Sequence, residues 1–295
     1  MYVVAAFYQF TSFPNFADHK APLTELAAEH DLTGTVLLAA EGVNGTIAGS
    51  QTGIEAMLSA LRQLPGCQGL EHKESSAEEC PFKKMKVRLK KEIVTMGVPV
   101  DPNADAGVYV DPQDWNDLIA APDVTLVDTR NAYEVELGAF EGAIDPKTDS
   151  FGEFPAWIDG HAKLTKKKKL AMYCTGGIRC EKATAYAKDL GFEEVYHLKG
   201  GILKYLEMVP EAQSKWDGEC YVFDRRVSVI HGLAQGQYRL CGGCGMPIND
   251  ADETHKDFEQ GVSCAKCIDL YSEKDRRRFR QRQQQSELAR KQSPA

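Results

Sequence analysis

The sequence predicts an α/β protein built as two successive halves and a cysteine-rich C-terminal segment. Three observations predict it. Strand and helix signals follow the order β-α-β-β-α-β over residues 1 to about 95. The alternation restarts near residue 113, after a stretch rich in Pro, Asp and Gly, and runs as strand-helix pairs to about residue 212. From about residue 220 the chain turns to cysteine pairs and turn formers.

Taken in order, YVVAAFYQF is a strand and PLTELAAEHD carries apolar residues at helical spacing. GTVLLAAEGVNGTIAG is two apolar runs joined at Glu41, Gly42, Asn44 and Gly45, a hairpin signal that a turn's need for Gly and Asn explains by itself. GIEAMLSALRQL places Ile54, Met57, Leu58 and Leu61 on one helical face, and KMKVRLKKEIVTMG closes the half with a strand. The order is that of a ferredoxin-like α+β domain, expected over residues 1–98. A linker is expected over 99–112. DVTLVDTR is then a strand with polar residues at its end, and NAYEVELGAFEGAI a short helix and turn. KKKKLAMYC is a buried strand, EKATAYAKDLGF a helix, EEVYHLKGG a strand and turn, and GILKYLEMVP the start of another helix. Strands alternating with helices imply a parallel sheet, whose sites sit at the carboxyl ends of its strands.

Composition bounds the function. The 295 residues carry a net charge of −8, which argues against a nucleic-acid partner unless local basic patches override it. Nine cysteines cannot all pair internally, so metal ligation, thiol chemistry or burial must account for them. No apolar run reaches the roughly 18 residues of a membrane span, and the N-terminus has no basic, apolar leader, so the cytoplasm is expected.

Cys174 falls at a strand end. The loop Thr175, Gly176, Gly177, Ile178 leads into a helix N-terminus, with Arg179 as its first cation. Such a loop turns N–H groups inward, and a thiol there ionises readily. Phosphatases space Cys and Arg by five residues to surround a phosphate. The four residues here make a smaller ring, better sized for a sulfur carried on the cysteine. The bland alternative is a buried cysteine beside a tight turn. Cys180, six residues on in the first turn of the helix, is a candidate to resolve a persulfide or sulfenic acid, or is packing. Asp128 and Arg130 either shape the site or serve as a helix cap and a salt bridge. Lys199, Gly200 and Gly201 could line the opposite wall.

CTGGIR resembles the active loop of rhodanese domains. VDTRNAYEVELGAFEGAI and HLKGGILKY resemble that domain's flanking segments, in the right order, over about residues 110 to 212. With AAEGVNGTIAG upstream and the cysteine-rich segment downstream, nearly the whole chain resembles one bacterial family, the oxygen-dependent tRNA uridine-34 hydroxylases. The resemblance implies a ferredoxin-like (acylphosphatase-like) first domain, a rhodanese domain over 113–215 and a cysteine-rich segment over 216–272; the basic, apolar-poor stretch 273–295 reads by composition as a helix that frays into a disordered tail. The resemblance also implies formation of 5-hydroxyuridine at the wobble position of tRNA, with molecular oxygen as co-substrate, an unidentified reductant, and Cys174 as the active thiolate or persulfide. Without the resemblance, the residues give a rhodanese-like thiol site; the alternatives are a sulfurtransferase working through a Cys174 persulfide and a zinc-stabilised RNA-binding or scaffold protein, against which Cys174 and Arg179 in their loop argue.

Cys241, Cys244, Cys264 and Cys267 form two C-x2-C knuckles that can place four thiolates around a structural Zn²⁺. The alternatives are free thiols or iron. Lys84, Lys86, Arg88 and Lys90 alternate onto one strand face as candidate contacts to a tRNA anticodon stem-loop. Lys166 to Lys169 and the arginines 276, 277, 278, 280 and 282 add basic clusters, each also readable as plain solvated surface. Tyr133, Tyr173 and Phe279 are candidate stacking partners for a splayed base, or core residues.

Overall fold

The computed structural model of the chain describes residues 1–165 and 169–292. The first half comprises β1 (Tyr2–Phe10), α1 (Lys20–Glu29), β2 (Thr33–Ala39), β3 (Gly42–Gly49), α2 (Gln51–Arg62), β4 (His72–Ala77) and β5 (Met85–Leu89). Its sheet runs β4-β1-β3-β2-β5. The first four strands are antiparallel to their neighbours, and β5 adds to β2 in parallel. The α2 face anticipated from spacing is the buried one, with Ile54, Met57, Leu58 and Leu61 in the core beside Phe7, Val36 and Ile47. Ser50 caps that helix by accepting from the Gly53 N–H at 3.2 Å. At Gly42, φ is 138° and a Cβ would lie 2.0 Å from the Gln9 carbonyl oxygen, so the β2–β3 turn requires glycine.

The strand expected to close this half, KMKVRL, is the fifth strand. The fourth is the polar edge strand HKESSA, which buries only Ala77 and so carries no apolar alternation to announce it.

The second half contains α3 (Pro102–Asp105), β6 (Val108–Val110), α4 (Pro112–Ala120), β7 (Val124–Asp128), α5 (Ala132–Val135), β8 (Gly138–Phe140), α6 (Phe154–Thr165), β9 (Lys169–Tyr173), α7 (Ile178–Asp189), β10 (Val195–Leu198), α8 (Gly201–Met208) and β11 (Trp216–Gly218). The four-stranded sheet is all parallel, in the order β6-β10-β9-β7. β9 lies inside it, and Leu170 to Tyr173 are buried, as a strand covered on both faces requires. The stretch 99–112, expected as a linker, instead holds α3 and the edge strand β6. Its three residues gain their order from pairing with β10. β11, expected within the cysteine-rich segment, pairs with β8, and Trp216 packs 5.1 Å from Phe140.

A second compact unit is made of residues 225–228 and 236 onward. It holds the two cysteine knuckles, a two-residue ladder of Arg239–Leu240 with Pro247–Ile248, α9 (Asp250–Glu253) and α10 (Glu273–Gln292). The helix expected at the start of the basic tail is α10, and it extends through Gln292. Phe279 is buried against Tyr271, and successive Arg–Glu and Arg–Asp pairs line α10.

Candidate active site at the end of the central strand

Cys174 follows directly on β9, and its side chain is fully enclosed. The loop around it is held from both ends. Gly177 has φ 103°, begins α7, and donates its N–H to the Cys174 Sγ at 3.1 Å. Gly201 has φ 67° at the start of α8. A Cβ there would lie 2.5 Å from the Cys174 carbonyl oxygen and 2.7 Å from the Gly177 nitrogen. The N–H groups of Ile202 and Leu203 donate to the carbonyls of Cys174 and Thr175 at 3.0 and 3.1 Å. Gly201 thus seats the reactive loop as well as serving a turn.

Burial alone raises a thiol. Here it is overcome by a hydrogen bond from the Cys180 thiol, the charge of Arg179 and the N–H groups of Cys180 and Gly177, which bring Cys174 from 9.0 down to about 5. Cys180 moves the other way: burial and its neighbour Cys174 hold its proton on. The Cys180 Sγ also lies 3.6 Å from the Thr129 hydroxyl.

Arg179 is clamped. Its two terminal nitrogens donate to Glu134 at 2.6 and 2.8 Å, and one of them also reaches the Thr175 hydroxyl at 3.2 Å. Glu134 is completely buried, and against the effect of burial Arg179 holds its carboxyl below the usual range. The sequence reading missed Glu134, although Asn131-x-x-Glu134 is a capping-box pattern legible in the sequence, and in the structure the Asn131 N–H donates to the Glu134 carboxylate at 3.2 Å. Asp128 and Arg130 are not at the sulfur. Arg130 donates three bonds of 2.6 to 3.1 Å to Asp128 and others to the carbonyls of Glu134 and Gly138, with its guanidinium 5.1 Å from the Trp216 ring. That fully buried pair braces the neighbouring strand end.

The first half covers the loop. The Tyr8 hydroxyl sits 2.8 Å from where a Gly177 Cβ would be and donates to Glu181 at 2.7 Å. The Lys73 ammonium donates to the Gly176 carbonyl at 3.0 Å, and burial lowers its pKa. Burial raises the Glu181 carboxyl. Ile178 packs with Phe10, Ala39 and Ile93. Lys182 is buried between Glu41 and Glu92 at 2.8 and 2.7 Å and so joins the halves, while Asn44 donates to the Ile93 carbonyl within the first half. A cleft of about 1200 Å³ opens beside this cover, lined by Tyr8, Lys73, Tyr109, Glu181, Lys199 and Lys204. Lys199 also pairs with Asp111 at 3.3 Å. Tyr8, Lys73, Glu181 and Lys182 were not anticipated, because nothing local in the sequence ties the first half to this loop.

Lys86 and Arg88 lie on β5, with Val87 facing the core, and Lys84 and Lys90 flank the strand. β5 is the edge opposite β4, four strand spacings away, about 19 Å. Lys166 to Lys168 lie outside the described residues, and Lys169 pairs with Asp123 at 3.1 Å. Arg276, Arg277, Arg278 and Arg280 pair with acids of their own unit, and Arg282 lies over Phe279. Tyr173 is a core residue, its hydroxyl accepting from the Phe140 N–H and its ring edge-on to Phe140, and Phe279 is buried, so neither can stack on a base. Tyr133 is half-buried.

In the second unit, the sulfurs of Cys241, Cys244, Cys264 and Cys267 all lie within 4.8 Å of one another, with separations of 3.9, 3.9 and 3.8 Å. Tetrahedral Zn–S bonds of about 2.3 Å put sulfurs about 3.8 Å apart, so the donor set fits zinc. A Cβ on Gly243 would lie 2.2 Å from the Val262 carbonyl oxygen, so the knuckles can meet only through glycine.

A strand-end thiol in an N–H cradle, an Arg at C-x4-R spacing and an all-parallel sheet define a rhodanese-type domain, here carried behind an acylphosphatase-like one. Family models agree: a rhodanese-like domain matches residues 111–208, and a UPF0176 acylphosphatase like domain matches residues 2–93. The chain is 58% identical over 296 residues to the tRNA uridine(34) hydroxylase of Roseobacter denitrificans, covering 100% of both chains. It is 58% identical over 289 residues to that of Agrobacterium fabrum (98% of this chain, 92% of the relative) and 56% over 291 residues to that of Sinorhizobium fredii (98% and 93%). The chain belongs to the tRNA uridine(34) hydroxylase family.

Proposed function

We propose that this chain is a tRNA-modifying enzyme that hydroxylates uridine 34, with Cys174 as its reactive group. The observation that carries the reading is the 58% identity, over the whole chain, to proteins named for that activity. The chemistry of the site supports it. An ionised sulfur can add to C6 of a uracil ring, which makes C5 electron-rich. Converting C5–H to C5–OH removes two electrons from the ring, so an oxidant is required. With molecular oxygen, one oxygen atom enters the base and the other leaves as water, using two electrons and two protons from a reductant. Loss of the C5 proton and of the sulfur from C6 then returns 5-hydroxyuridine and the free thiolate. Arg179 and the Gly177 N–H hold the sulfur anionic, and Glu134 holds Arg179. The ring reaches the enclosed sulfur when the Tyr8–Lys73 cover shifts.

The substrate is the anticodon stem-loop. Lys84, Lys86, Arg88 and Lys90, at the edge strand β5, meet stem phosphates rather than the reacting base. Cys241, Cys244, Cys264 and Cys267 hold a Zn²⁺ that is structural, since four thiolates leave no open position. The enzyme works in the cytoplasm with its tRNA. Among the described residues no helix is long and apolar enough to cross a membrane. A sulfurtransferase would use the same cradle, but the relatives' names favour hydroxylation.

The test is nucleoside mass spectrometry on tRNA from cells lacking the protein, complemented with wild type or Cys174→Ala. Only wild type should restore 5-hydroxyuridine-derived nucleosides. Their persistence in the deletion strain, with no redundant route, would overturn the reading.

A further inference from the structure

The extended segment Cys220–Phe223 alternates strictly. Cys220 and Val222 are buried in the core of the second half, while Tyr221 is half-buried and Phe223 is 60% exposed. Among the described residues, Phe223 is the sole phenylalanine with such exposure, and its position is not arbitrary. The Arg179 guanidinium lies 5.9 Å from its ring centroid. Tyr221 meets Phe223 edge-to-face at 5.1 Å, and Tyr133 meets Tyr221 at 5.2 Å. Tyr133 directly precedes Glu134, the partner of Arg179, and accepts from the Asn131 side chain at 3.3 Å. Three aromatics from two separate segments thus form a continuous wall anchored on the pair that holds the Cys174 loop. Burial and the Glu134 charge keep both tyrosine hydroxyls protonated, so the wall is neutral at physiological pH.

A solvent-facing ring beside a planar guanidinium suits a flat ligand. A phosphate would find Arg179 already neutralised by two bonds to Glu134. Unpaired bases stack on aromatic and guanidinium planes. We propose that Phe223, backed by Tyr221 and Tyr133, is the stacking surface for an unpaired pyrimidine or neighbouring base of the single-stranded loop whose uridine reacts at Cys174. The proposal rests on the nucleobase-modifying reading and names the side of the loop from which the base is held.

The test uses the full-length wild type and Phe223→Ala, Phe223→Leu and Phe223→Trp, with unfolding midpoints checked for equality. The probe is a synthetic anticodon stem-loop with unmodified uridine 34, compared with a fully paired duplex of the same stem. Binding is read by fluorescence anisotropy. Ala and Leu should each weaken stem-loop binding about tenfold, Trp should retain it, and the duplex should not distinguish the variants. The proposal is overturned if Ala or Leu binds as wild type does, or if the duplex loses affinity by the same factor. The same four proteins are assayed for 5-hydroxyuridine in tRNA of deletion cells complemented with each, which supply the oxygen and the reductant. If wild type makes none while the affinities split as expected, the hydroxylase reading falls and the aromatic wall stands. If wild type makes product and all four bind alike, the wall falls and the hydroxylase reading stands.

Discussion

Two groups of cysteines in this chain handle thiol ionisation in opposite ways. At Cys174 a single ionised sulfur is enclosed among donors: the Gly177 N–H, the Cys180 thiol and the field of Arg179. In the second unit four sulfurs converge within 4.8 Å of one another. The first arrangement stabilises a free thiolate with the protein's own dipoles and leaves it able to react. The second can hold four thiolates only around a cation, which draws off the sulfur charge and lowers their nucleophilicity. Clustering sulfurs therefore builds structure, and isolating one among donors builds reactivity.

The largest expected effect breaks the second arrangement. Metal binding to a four-thiolate site is worth about 10–16 kcal/mol in small zinc domains, so Cys267→Ser should abolish zinc retention. Residues 236–292 should then become protease-sensitive. Wild type should release a single zinc ion per chain on denaturation, read by a colorimetric chelator. A wild-type protein free of zinc, yet protected over 236–292, would overturn the zinc assignment. The thiolate absorbance contributed by Cys174 should be the same in both proteins.

The next effect sharpens the first arrangement. Glu134→Gln keeps an acceptor for the Asn131 N–H but removes the charge opposite a buried Arg179. Breaking one side of a buried pair costs about 3–5 kcal/mol, so the denaturant midpoint should fall clearly. The same change exposes Cys174 to the unneutralised Arg179 charge, so its thiolate should form at still lower pH. Loss of stability together with a more acidic thiol separates this electrostatic role from plain packing. A midpoint within error of wild type would remove Glu134 from the account.

The comparison also explains what the sequence made legible. Cys174, its glycines, Arg179 and the two knuckles are local patterns, with spacing short enough to read along the chain. The α2 face was legible for the same reason, since its period is written in one helix. β4 and β6 were not: one is polar and the other is three residues long, and both owe their order to pairing with distant strands. The cover over the loop is non-local in the same sense. Lys73 meets Gly176 across 103 positions and Tyr8 meets Glu181 across 173, and no periodicity encodes such a contact. Phe223 was missed because one aromatic in a short extended run looks like any other until Arg179 is placed beside it.

The smallest effect tests whether Cys180 is a working part of the thiolate site. Against the raising effect of burial, its thiol is the first of the groups that lower Cys174. Hydrogen bonds to charged groups are worth about 1.5–3 kcal/mol, so Cys180→Ala should raise the Cys174 midpoint by about one to two pH units from about 5. The readout is thiolate ultraviolet absorbance, taken as the difference between each protein and its Cys174→Ser counterpart. The sign follows from the depressed pKa. Ionisation of Cys174 adds stability that is fully present above pH 9.0, its ordinary value, and is lost as pH falls through about 5. In Cys180→Ala that contribution shrinks, so the pH dependence of unfolding between these limits should flatten along with the absorbance shift. If the midpoint stays near 5, Arg179 and the loop N–H groups suffice, and Cys180 is left with a packing role beside Thr129. If it rises as expected, the second cysteine of CTGGIRC acts on the sulfur it neighbours while keeping its own proton.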